Sequence, residues 1–111
     1  MTFAELLQEV KKLPFEEKRV ESRLYLEFVM QVDILDKLHP ILKRYFGHAM
    51  KSAGEKVHQE AFDCMEYFGG IRSDQTLYYA ERDGFFDYAV VWPWADQSSV
   101  TVKIFREDRK R

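Results

Sequence analysis

The residues of this chain with the widest chemical reach are His39, His48, His58 and Cys64. No two histidines form an H-x-x-x-H or H-E-x-x-H pair, the spacings that put two ligands on one helix face. His58 and Cys64 are six residues apart, about 240° around a helix, so they do not share a face. Spacing alone leaves open a nucleophilic pair between Cys64 and His39 or His48. However, Cys64 falls on an apolar stripe, where a small buried residue is the simpler reading. A single cysteine also excludes an intramolecular disulfide and a multi-cysteine zinc site. Asp83 and Asp87 flank a turn, while Asp74 and Asp96 fall in connections. Carboxylates do acid–base work only where a pocket shifts their pKa values, and no pocket is legible here. Gly69-Gly70 follows a helix, whereas phosphate loops precede one. The expectation is therefore no metal, no cofactor and no catalytic residues.

The elements that must position these groups are bounded by size. A chain of 111 residues and 13.3 kDa fits one domain, residues 1–111. Surface scaling gives roughly 6,400 Å² folded against roughly 19,300 Å² unfolded, enough burial for a core without staples. The net charge of −2 argues against duplex DNA as a partner, since such binders present a basic face. Only the end is biased: Lys103 to Arg111 holds five basic and two acidic residues. Residues 106–111 are expected to be a frayed basic tail. The N-terminus lacks the pattern of a signal peptide, and no apolar run reaches membrane-spanning length. A cytoplasmic location, with no membrane contact, is the expectation.

Thr2 and Glu5 form a capping box, and Phe3, Leu6, Leu7 and Val10 follow at helical spacing, which predicts a helix over 3–12. Pro14 ends it, and Phe15 to Lys18 read as the start of another helical turn. From Leu24 to Ile34 apolar residues alternate with polar ones, broken only at Val29, which predicts a strand over about 22–31. A continuous helix there would need Gln31 in an apolar seam. Asp33 opens a second helix that contains Pro40 and stops at Gly47. Ser52 and Glu55 form a second capping box, ahead of a helix carrying Val57, Ala61, Cys64, Met65 and Phe68. The period then falls to two. Strands are predicted over 76–81, 86–92 and 99–105, the first two joined by an Asp83-Gly84 turn.

This α-β-α-α-β-β-β order predicts an α+β, two-layer sandwich: a mainly antiparallel four-stranded sheet with helices packed on one face. Phe86, Tyr88, Val90 and Trp92 are expected to face the helices with Leu24, Leu26, Phe28 and Met30. Tyr25, Val29, Tyr78, Ala80, Ala89, Val91, Thr101 and Phe105 then point away, a face too apolar for a solvated sheet. The first helix crossing it, a protein interface, or a stacking surface would each account for that face. Trp94, in a connection after Pro93, is an interaction anchor or a lid over the core.

The leading expectation is a small cytoplasmic interaction or regulatory protein acting by surface contact. It self-associates as a homodimer, or binds another protein, through Tyr25, Val29, Tyr78, Val91, Trp94 and Phe105. The alternative is a binder of small molecules or single-stranded nucleic acid that uses sheet aromatics and the basic C-terminal tail.

Overall fold

A computed structural model describes residues 1–108. The elements are α1 (Phe3–Lys11), β1 (Glu17–Glu21), β2 (Tyr25–Gln31), α2 (Leu35–Phe46), α3 (Gln59–Met65), β3 (Thr76–Arg82), β4 (Phe85–Pro93) and β5 (Ser99–Asp108). Short 3₁₀ turns, Val32–Ile34 and Glu66–Phe68, precede α2 and follow α3. The fold class is α+β, and the five strands form one antiparallel sheet in the order β1-β2-β5-β4-β3.

The expected four strands thus become five. Glu17–Glu21 is a strand rather than a helical turn, and every residue in it is exposed. An edge strand with no buried face carries no alternation to read. It is held by pairing with β2 and by Ser22, whose hydroxyl accepts from the backbone N–H groups of Leu24 and Tyr25 at 3.3 and 3.1 Å. Its charged side chains and a bulge between Lys18 and Val20 blunt the open edge.

α1 starts as its capping box dictates, with both reciprocal hydrogen bonds between Thr2 and Glu5 present. α2 runs through Pro40 and stops at Gly47, whose φ of +79° suits glycine. The Ser52–Glu55 box forms only a local turn, because Gly54 adopts a φ of +88°. α3 begins later, at His58, whose Nδ1 accepts from the Ala61 N–H at 3.2 Å.

The helices are not all on one face. α1 and α2 cover Leu26, Phe28, Met30, Ala89, Val91, Val100, Val102 and Ile104. α3 lies on the opposite face, packing Ala61 and Met65 with Leu77, Tyr88, Val90 and Phe105. In the β4–β5 ladder Ala89 pairs with Ile104 and Tyr88 with Phe105. The expected facing of β4 is therefore reversed: Tyr88, Val90 and Trp92 point to α3, and Ala89 and Val91 to α1 and α2. Tyr78, opposite Ala89, moves with them. Both faces of β4 are apolar because both are covered, so alternation alone could not orient it.

At one end of the α1/α2 face, Arg106 holds the buried Asp87 in a bidentate pair, Nε to Oδ1 at 2.7 Å and Nη2 to Oδ2 at 3.0 Å. The Tyr45 hydroxyl donates to the same carboxylate. Burial, then the Asp87 contact, pushes the Tyr45 phenol up to about 12. An unfolded tyrosine ionises near pH 10, so the folded state keeps a proton that the unfolded state loses. This stabilisation is complete below pH 10 and is lost as pH rises from about 10 to about 12, at up to about 1.4 kcal/mol per pH unit. Urea midpoints between pH 9 and 12 should fall more gently for Tyr45→Phe than for the wild type.

Candidate functional site

The candidate site lies on the α3 face. Four cross-strand partners place their rings in a row: Tyr25 on β2, Phe105 on β5, Tyr88 on β4 and Tyr79 on β3. Ring centroids are 5.8, 4.8 and 5.3 Å apart along the row. Phe68, carried by the 3₁₀ turn after α3, sits 5.0 Å from both Tyr88 and Phe105 and roofs the middle. At the Tyr25 end the roof stops short. A groove of about 390 Å³ remains, lined chiefly by Tyr25, Met65, Phe68, Trp92, Lys103 and Phe105. Leu24, 49% exposed, stands at its rim.

The polar groups of the groove are few. The Lys103 ammonium lies 3.8 Å above the Trp92 ring, a cation–π contact. Its nearest carboxylate among the described residues is Glu27, with Oε1 at 4.0 Å, beyond hydrogen-bond length. Glu27 Oε1 already accepts from the Tyr25 hydroxyl at 2.8 Å. Burial and that carboxylate together push the Tyr25 phenol above its ordinary range. The Trp92 indole N–H is buried and has no acceptor among the described residues.

A larger hollow of about 630 Å³ lies between α2 and the segment after it, lined by Asp36, His39, Lys43, His48, Ser52 and Tyr78 among others. His39 is committed there to the Tyr78 hydroxyl, with Nδ1 at 2.8 Å. Burial, reinforced by Lys43 and opposed by Asp36, holds the imidazole below its usual pKa. This contact fastens α2 to β3. His58 caps α3 and also meets the Met50 carbonyl at 3.0 Å. Cys64 is half-buried against the α3-face core. Among the described residues no three histidine, cysteine or acidic side chains converge as metal ligands.

The six expected contact residues are divided between the faces. Tyr25 and Phe105 meet in the groove, the first half-buried and the second 8% exposed. Tyr78 and Val91 belong to the α1/α2 core, 1% and 3% exposed. Val29 is buried within β2. Trp94, 38% exposed, donates its indole N–H to Thr101 Oγ1 at 3.0 Å. Phe68 and Trp92, neither expected as a site residue, complete the groove with Lys103, which opens the basic end expected to contact single-stranded nucleic acid. Their convergence depends on strand register and on α3 crossing the sheet. Of the basic end, Arg106 to Asp108 belong to β5, and residues 109–111 lie outside the described residues.

No helix among the described residues is long and apolar enough to cross a membrane. No known protein family, curated protein or solved structure matches this chain.

Proposed function

We propose that the protein is a binding module, acting by contact rather than by chemistry on a substrate, and that the groove beside Tyr25 is its recognition site. The observation that carries this reading is the groove itself: a concave, aromatic-walled space of about 390 Å³ with one ammonium at its side. Small-ligand sites have this form, roughly 300–1,000 Å³ of mostly apolar lining with a few placed polar groups.

The other readings have less behind them. Of the six residues expected at a dimer interface, only Tyr25 and Trp94 offer much surface, short of the roughly 800 Å² per partner of a standard interface. Stacking of successive bases needs an open aromatic row, and Phe68 roofs this one. Arg106 spends its charge on Asp87.

A screen of small apolar compounds by amide and aromatic NMR shifts is the direct test. Binding should perturb Tyr25, Phe68, Trp92, Lys103 and Phe105 together. Perturbation centred on the His39 hollow, or none with any compound, would remove the proposal.

A further inference from the structure

We infer that the groove selects small apolar acids, with a carboxylate held by Lys103 and an aromatic or branched body against Tyr25, Phe68 and Phe105. The inference rests on reading the groove as a binding site and adds the class of its ligand.

Two observations carry it. The Lys103 ammonium is fixed over the Trp92 ring at 3.8 Å, yet makes no hydrogen bond to any described residue. Glu27, its natural partner, stands 4.0 Å away and is drawn to Tyr25 at 2.8 Å, with Arg19 Nη1 3.8 Å from its other oxygen. An ammonium without a hydrogen bond at the side of a mainly apolar groove calls for a ligand that brings an acceptor. An ion pair formed beside aromatic rings is also less screened than one in open solvent.

The charge count selects carboxylate over phosphate. A phosphate carries close to two charges and is usually met by arginine forks or several backbone N–H groups. Here a single ammonium is available: the Arg106 guanidinium is turned to the other face of the sheet and paired with Asp87, and the other charged residue of the lining, Glu107, is acidic. One ammonium balances one carboxylate. The rest of the ligand must then be apolar enough to displace water from Tyr25, Met65, Phe68 and Phe105.

Calorimetric titration with 2-naphthoate and its neutral amide, 2-naphthamide, tests this. The wild type should bind the acid at least about tenfold more tightly than the amide, the scale of one charge-assisted hydrogen bond. Lys103→Met keeps the stem over Trp92 but loses the charge, and should bring the acid down to the level of the amide. Lys103→Arg should retain the preference. Glu27→Gln, which removes the competing carboxylate, should strengthen binding of the acid. Equal affinity for acid and amide in the wild type would overturn the acid preference while leaving the groove as a site. A preference that survives in Lys103→Met would overturn the role of Lys103. Binding of neither compound would overturn both the preference and the groove.

Discussion

Arg106→Met should lower the unfolding free energy by about 3–5 kcal/mol, the usual cost of removing one partner from a buried ion pair. Asp87 is fully buried, and Arg106 meets it with two hydrogen bonds of 2.7 and 3.0 Å. Without the guanidinium, the carboxylate keeps, among the described residues, only the Tyr45 hydroxyl as a side-chain partner. The loss spreads beyond the pair. Arg106 also lies 4.7 Å from the Phe3 ring and 4.4 Å from the Phe85 ring. It therefore ties α1, α2, β4 and β5 together at one end of the core. Domains of this kind have about 5–15 kcal/mol in total, so one substitution removes a large share. Urea denaturation gives the magnitude. The double variant Asp87→Leu with Arg106→Met should be more stable than Arg106→Met alone, because no unpaired charge remains buried. A double variant as unstable as the sum of the two single changes would mean that the two residues act independently.

Lys51→Met should cost about 1–3 kcal/mol, and the damage should be local. Lys51 is fully buried, and its three ammonium hydrogens meet the carbonyls of Ser52, Ser73 and Gln75 at 2.9, 2.7 and 2.7 Å. Those carbonyls stand at the two ends of the excursion from Ser52 to Gln75 that carries α3 across the sheet. The Gly54 N–H donates to Ser73 O at 2.7 Å at the same neck, and Lys51 bridges to Leu77 on β3. Burial pushes the ammonium below its ordinary pKa, while Glu55 and Asp74 oppose that shift. Methionine relieves the cost of burying a charge but takes a donor from all three carbonyls: Ser52 O and Ser73 O keep the Glu55 and Gly54 N–H groups, whereas Gln75 O keeps no donor among the described residues, at roughly 1–3 kcal/mol before relaxation. Hydrogen exchange should accelerate from 52 to 75 and stay slow in α1 and α2. Because Met65 and Phe68 form one wall of the groove, ligand affinity should fall with it. Uniformly faster exchange over the whole domain would mean that this excursion is not a separable unit.

α1 and β2 were readable because each declares itself locally. The Thr2–Glu5 box and the Phe3–Leu6–Leu7–Val10 stripe predict the first, and the alternation through Met30 predicts the second. The Asp83-Gly84 turn was equally plain, both residues adopting positive φ. β1 was not legible, since an exposed, charged edge strand is specified by its partner rather than by its own pattern. α3 was misplaced because a capping box reports only local preference, and Gly54 turns the chain before a helix can propagate.

The groove lies at the limit of what sequence can say. Tyr25 and Phe105 stand out together in the sequence because both alternate away from the face expected to carry the helices, a property of spacing alone. Trp92 and Phe68 reach them only through the β4–β5 register and the crossing of α3. In sequence, the aromatic supply, the absence of clustered ligands and the period of each strand are fixed locally, because side-chain period and cap chemistry act over a few residues. Which face of β4 meets which helix, and whether Asp87 lies at a rim or in a buried pair with Arg106, depends on contacts between residues distant in the chain. With apolar residues on both of its faces, β4 fits either orientation locally, and the packing of the whole sheet chooses between them.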